Sequence, residues 1–364
     1  MNIYLLHQPL KRCLSARFYS MELSAVVKKL EELAPVSLAE SWDNVGLLVE
    51  PYTKKELRAI LLTNDLTEEV VEEAEQRGAG LILSYHPPIF RPLKRITTSS
   101  WKGKIVARCL EQGIAIYSPH TACDALKGGV NDWLIKAFDC NHVTPVQQST
   151  KAPLYTHQVT MHLSSDDEAL TLGNKLKKEM DPSVSLIIIG GSQVVVQCKE
   201  RILPDIFTQA HASNCDVATQ LSISKLESYP AIGYGMGRKG KLATPITMQE
   251  AVSKVKAHLG LPHVRVALAK SSNMFSQVKS VCVCAGSGAS VLRGAKADLW
   301  LTGEMSHHEV LDATQAGHTV ILTDHSNSER GYLANTFCPL LSALLDNNVE
   351  VFVSAKDRDP LEVM

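Results

Sequence analysis

The chain has 364 residues, with 37 lysines and arginines against 38 acids, a formal charge of −1, 45% hydrophobic and 5% aromatic residues. At roughly 150 residues per domain, this length accommodates about two domains. No apolar run reaches the ~18 residues of a membrane span, the balanced charge lacks the footprint of a dedicated nucleic-acid binder, and core-forming residues are too frequent for a disordered chain. Neither a membrane nor direct nucleic acid is therefore an expected partner.

Residues 1–21 contain no acid but carry Lys11, Arg12 and Arg17. Residues 1–20 read either as a transit-like segment for the mitochondrion or as a simple leader, with Met21 as a second possible start. The nine cysteines are an odd number and include no Cys-x-x-Cys pair. They read as buried thiols of a protein in a reducing compartment, with the cytoplasm the expected location.

From Met21 the pattern is helical over 22–33, and Pro35 ends it. A strand at 58–63 is followed by Asp65 and Glu68, spaced as a capping box for a helix to 76. A strand at 80–83, a helix at 102–112 closed by Gly113, a strand at 114–117 and a helix around 129–138 follow. Strands alternating with helices predict a mainly parallel sheet covered on both faces. The middle differs. Strands at 156–163, 184–189, 193–198 and 215–223, with helices at 166–180 and 200–211, give the β-α-β-β-α-β order of a ferredoxin-like unit. A glycine-rich stretch, 233–240, leads back to the α/β rhythm. It has strands at 265–268, 278–284, 298–301 and 319–322, a long helix at 328–345 and a last strand at 350–353. The fold class is thus α/β, as a two-lobed unit interrupted by an α+β insertion. The expected divisions are a leader at 1–20, an N-terminal lobe at 21–150, the inserted domain at 151–230 and a C-terminal lobe at 231–364.

Polar residues collect where strands stop, the usual place for ligands in an open α/β sheet. These are His86, His120 with Asp124, Glu304, and Asp324-His325 with Glu329. His325 and Glu329, four apart, share a face if a helix starts there. Imidazoles beside carboxylates suit a divalent cation such as zinc, iron, manganese or nickel. Each residue has a plainer alternative. Asp65 reads as a helix cap or a ligand, Glu304 as a ligand or a partner of a helix dipole, and Asp324 as a carboxylate orienting an imidazole. Ser41-Trp-Asp-Asn-Val-Gly-Leu47 reads as a turn before a strand. No phosphate-binding Gly-x-x-x-x-Gly-Lys-Ser/Thr loop and no Gly-x-Ser-x-Gly elbow occurs.

At these residues the sequence resembles the NIF-three-like family, also labelled GTP cyclohydrolase I type-two-like, and its animal members in particular. The resemblance spans the chain from Met21. It is carried by Ser41-Trp-Asp-Asn-Val-Gly-Leu-Leu48, Thr63-Asn-Asp65, Tyr85-His-Pro-Pro88, Ser118-Pro-His-Thr-Ala-Cys-Asp124, Gly235-Met-Gly-Arg238, Leu301-Thr-Gly-Glu-Met-Ser-His-His308 and Asp324-His-Ser-Asn-Ser-Glu-Arg330. It implies a two-lobed NIF-three-like fold with an inserted ferredoxin-like or PII-like domain, a two-metal site between the lobes, and a homodimer or higher homo-oligomer. Carried over by position, His86 and Asp124 match ligands of one metal, His325 matches a ligand of the other, Glu329 bridges both, and His120 lies nearby. Many bacterial members have His-His-Pro where this chain has Tyr85-His-Pro. A phenol is a poor neutral ligand, so a single metal is an open alternative to two. The implied chemistry is metal-assisted hydrolysis of a nucleotide-like or phosphorylated small molecule, with Glu304 or Asp65 as general base. Its rivals are a non-catalytic corepressor acting through transcriptional regulator proteins, for which the nucleus is an expected location, and a metal chaperone or sensor.

Overall fold

The computed structural model describes residues 20–53, 56–150, 155–180, 185–213, 220–226 and 232–364. The expected leader falls almost wholly outside them, as does much of the strand expected at 215–223, of which Leu221–Lys225 is described.

Two sheets carry the main body. The first runs, in spatial order, Gly46–Val49, Ala115–Ser118, Leu81–Ser84, Ala59–Thr63 and Glu350–Val353. All its pairings are parallel except that of Gly46–Val49 with Ala115–Ser118. The second runs Arg265–Ala267, Thr319–Leu322, Leu299–Glu304, Gln277–Ser287, Arg238–Thr247 and Cys140–Thr144. Here parallel pairing is confined to the central three strands, and antiparallel strands flank them. The sheets do not follow the two halves of the sequence. Cys140–Thr144 belongs to the second sheet, and the C-terminal Glu350–Val353 inserts beside Ala59–Thr63 in the first.

Alternation along each strand explains the layers, because successive side chains point to opposite faces. Ile60, Leu62, Leu81, Leu83, Val281, Val283, Leu299 and Leu301 all face one shared core, filled between the sheets by Trp133, Tyr332 and Phe337. Their neighbours Leu61 and Ile82 face away, under helices Glu68–Gln76 and Trp101–Gln112. Cys282, Cys284 and Trp300 do the same on the far side of the second sheet. The cysteines of Val281-Cys-Val-Cys284 are therefore buried packing residues, and burial raises the Cys282 thiol to about 11.

The inserted segment contains the strands His157–His162, Ser185–Gly190, Gln193–Cys198 and Leu221–Lys225 and the helices Asp166–Glu179 and Leu203–Ala212. Numbered along the chain, the strands lie in the order fourth, first, third, second, all antiparallel, as in a ferredoxin-like unit. Its core of Val159, Met161, Leu172, Val194 and Val196 is its own. Short strands Gln147–Gln148 and Gly235–Met236 pair at its neck.

Three local expectations change. The helix Glu68–Gln76 is capped by Thr67, whose side chain accepts from Val70 N–H; Asp65 caps nothing. The long helix expected at 328–345 runs from Arg330 to Leu344 after a tight turn, Ser326–Ser328, and is widened by one turn at Leu333–Phe337. Pro339 has no N–H for the carbonyl four residues back, and the wide turn sits just before it. The glycine-rich stretch becomes the start of a ten-residue strand, Arg238–Thr247.

Arg238 is 1% exposed. Its Nε and Nη2 hold the two oxygens of Asp132, both at 2.8 Å. Nη1 and Nη2 donate to the carbonyls of Gly235, Gly237 and Leu126 at 2.6, 2.7 and 2.8 Å. One guanidinium thus ties the neck strand to the segment leading into helix Val130–Ile135. Breaking a buried pair from one side costs about 3–5 kcal/mol. Arg238→Ala is expected to lose stability on that scale in urea denaturation, and Arg238→Lys to recover less than half, because an ammonium cannot reproduce the paired fork.

Candidate metal centre

The carboxyl ends of the parallel strands of both sheets open onto one cavity of about 760 Å³. From the first sheet, Ala59–Thr63 runs on into Asn64 and Asp65, and Leu81–Ser84 runs on into Tyr85 and His86. Tyr85 N–H bonds to Thr63 O at 2.8 Å and His86 N–H to Asn64 O at 3.0 Å, so the two ends stay in register beyond the strands. From the second sheet come Glu304, at the end of its strand, and His325, just after Thr319–Leu322. Glu329 follows the turn Ser326–Ser328 and is only 3% exposed.

The donor atoms of His86, His325 and Glu329 all lie within 4.8 Å of one another. His86 Nδ1 is 2.9 Å from Asp65 Oδ1, and His325 Nδ1 is 2.8 Å from Glu304 Oε1. With each Nδ1 held by a carboxylate, the Nε2 atoms are left to face Glu329, His86 at 3.1 Å from Oε2 and His325 at 3.5 Å from Oε1. Asn64 Nδ2 donates to Glu329 Oε2 at 3.2 Å. His86 Nε2 is out of hydrogen-bonding line with Glu329 and is a buried nitrogen without a hydrogen-bond partner. Gly286 completes the cradle: at φ +64° it passes so close that a Cβ there would stand 2.6 Å from Glu329 Oε1 and 3.0 Å from His325 Nε2. An imidazole fixed at Nδ1 by a carboxylate and bare at Nε2 is the arrangement of a metal-ligating histidine. The residues fit a divalent cation.

The field of the site agrees. Burial opposes charge on His86, but Glu329 and Asp65 overcome it and raise its proton affinity to about 10. Burial likewise works against ionisation of Glu329, and His86 and His325 outweigh it, holding this carboxyl below its ordinary value. The pocket demands positive charge at its centre, and without a metal a proton on His86 supplies it.

Of the residues expected at the site, His86, His325 and Glu329 come together. Asp65 and Glu304 are the carboxylates that orient the two imidazoles. Glu304 therefore does not serve the helix His307–Gln315, which Ser306 and Glu309 cap. Asp124 lines the same cavity outside the three-residue group. Burial and then Glu329 raise its carboxyl to about 6, and its Oδ1 accepts from Tyr85 OH at 2.7 Å. Tyr85 is fully buried, and burial together with Asp124 pushes its pKa well above the usual phenol value. It stays protonated as the donor to Asp124. His120 pairs with Asp43, Nδ1 to Oδ1 at 2.8 Å, rather than with Asp124, and stands edge-on to His86 with ring centres 5.3 Å apart. Asp324 orients no imidazole; it pairs with the exposed Arg265 at 2.7 Å. The sequence reads Trp42-Asp-Asn44 as a turn, and the structure adds Asp43 to the site. Its signal was the acid beside an aromatic, and its partner lies 77 residues away.

The strand-end cavity, with two carboxylate-braced histidines about one buried glutamate, defines a two-lobed α/β protein built around a pocket whose residues could hold a cation. The chain belongs to the Duf34/NIF3 (NGG1p interacting factor 3) family, whose pattern matches residues 21–360. It is 43% identical over 353 residues to NIF3-like protein 1 of Bos taurus, covering 94% of this chain and 93% of that one. It is 32% identical to NGG1-interacting factor 3 of Saccharomyces cerevisiae, covering 94% and 97%. A Bacillus cereus protein related to NIF3 shares the fold, with a TM-score of 0.76 at 23% identity over 94% of this chain and 99% of that one.

Metal entry must displace the His86 proton, since ligating imidazole is neutral. Between about pH 7 and pH 9, binding of a divalent ion is expected to release about one proton and to tighten by up to tenfold per pH unit, levelling above about 10. Calorimetry in buffers of different ionisation enthalpy measures this. The sign for the metal-free fold is opposite. The raised His86 pKa contributes stability fully present below about 6.5 and lost as pH rises through about 10.

Proposed function

We propose that this chain is a divalent-metal-dependent hydrolase acting on a small phosphorylated or nucleotide-like molecule, with one ion held by His86, His325 and Glu329. The observation that carries this reading is the pair of imidazoles braced at Nδ1 and aimed at the two oxygens of one buried glutamate. Zinc, iron, manganese or nickel suits these donors. A bound ion of this kind supplies Lewis-acid polarisation and lowers the pKa of water.

The chain's own residues divide the remaining work. Glu304 is 51% exposed and uses Oε1 to hold His325, so its other oxygen can take a proton from the cavity. Asp65 is more committed, with Oδ1 on His86 and Oδ2 3.8 Å from Arg330. Glu304 is therefore the better general base of the two. Trp42 and Phe90, edge-to-face at 6.0 Å, form an aromatic wall of the cavity, suited to a flat ring. No Lys or Arg is among the described residues that line it. Any phosphate must therefore be held by the ion itself, and a chelator removes both affinity and turnover.

With a panel of nucleotides and phosphate monoesters, turnover is expected to scale with metal content and to fall at least ~100-fold in His325→Ala. Trp42→Ala is expected to raise KM by about fivefold while leaving metal content intact, as the loss of one aromatic contact of ~1 kcal/mol implies. Metal-loaded protein that turns over no member of the panel counts against the hydrolase. The second reading is an adaptor acting through transcriptional protein partners, favoured by the name of the yeast relative, NGG1-interacting factor 3. Partner binding undiminished by Glu329→Ala supports it.

A further inference from the structure

We infer that Asp357, in the segment that follows the last strand, is a positioning residue for the metal-binding cluster. It touches none of the three donors, yet it grips the backbone or side chain of the residues that hold them. This rests on the metal reading above.

The side chain of Asp357 is 2% exposed, although it lies seven residues from the C-terminal Met364. A carboxylate so enclosed needs compensation. It has three partners. Oδ2 accepts from Asn64 N–H at 2.8 Å and ion-pairs with Arg330, and Oδ1 lies 3.4 Å from Asp65 N–H. Each partner leads to the cluster by one further step. The Asn64 side chain donates to Glu329 Oε2, Asp65 holds His86 Nδ1, and Arg330 is the residue after Glu329. Arg330 Nη2 also donates to Ser326 Oγ at 2.7 Å, next to His325, and Ser326 Oγ donates to Asp359 Oδ2 at 2.6 Å. Two carboxylates of the tail therefore reach the neighbours of every donor.

The tail arrives already braced. Buried Glu73 accepts from the backbone N–H of Ala355 at 3.0 Å and from the hydroxyl of Ser354. Ser354 N–H continues the sheet to Leu62 O at 2.8 Å. The position of Asp357 is thus set by the first sheet, while Arg330 and Ser326 belong to the loop that the second sheet supplies. Asp357 sets the two halves of the cluster relative to each other, as a brace behind the ligands.

The test is titration of the full-length protein with Co²⁺, read by its visible absorption band, beside thermal unfolding of the metal-free form. Asp357→Asn is expected to weaken Co²⁺ binding 10–100-fold, the usual penalty for losing a group behind the ligands. It should also alter the band shape, with the metal-free protein still unfolding in one cooperative transition. Asp357→Glu should recover part of the affinity, which a loss of general packing would not. Should Asp357→Asn fail to fold, Asp359→Asn decides, with a smaller loss in the same direction. Folded variants that bind Co²⁺ with wild-type affinity and spectrum overturn the inference while leaving the metal reading intact. Wild-type protein that binds no Co²⁺ overturns both.

Discussion

The structure turns on one buried carboxylate. Glu329 comes from the loop after a strand of the second sheet, but two of its three polar neighbours, His86 and Asn64, come from the first sheet. Taking a carboxylate out of water costs several kcal/mol unless charge and hydrogen bonds answer it. Here the answer is assembled from both lobes at once. The lobes are held in the one arrangement that keeps this group satisfied, and that arrangement puts two imidazole nitrogens on its two oxygens. Arg238 does the corresponding work at the neck, with the sign of the charge reversed.

This logic also accounts for the layering of polar groups around the donors. Glu329 and the imidazoles form the centre. Asp65, Glu304 and Asn64 fix their orientation, and Asp357, Asp359 and Arg330 fix the orienting residues. Gly286 and the strand ends give the centre its space. Outside it lies the aromatic wall of Trp42 and Phe90.

Much of this was legible in the sequence, and the limits have physical causes. Strand interiors such as Ile60–Leu62 and Val281–Cys284 announced themselves as short unbroken apolar runs, because packing on both faces leaves no room for polar alternation. The ferredoxin-like order of the insertion was equally plain. His86, His325 and Glu329 were visible as polar residues at strand ends. Asp65 was ambiguous because a carboxylate before a helix suits a cap as well as an imidazole, and Thr67, two residues on, won the local competition. Asp357 gave no local signal and Asp43 only an acid beside an aromatic, since the partners of both lie far along the chain. The strand Arg238–Thr247 was hidden by glycines that speak for turns. Its edge is secured by pairing with Gln277–Ser287, not by propensity.

The exchange of strands between the sheets has a consequence for motion. Cys140–Thr144 is carried from the first half of the chain into the second sheet, and Glu350–Val353 returns from the second half into the first. Two lobes joined by a single linker can rock apart about a hinge. Two lobes that each hold a strand of the other are interlocked, and opening them means breaking a ladder. Main-body amides should then share one slow hydrogen-exchange class across both sheets, while the insertion, with its separate core, breathes on its own. Any opening of the cavity that leaves these ladders intact therefore falls to side chains and loops at its mouth.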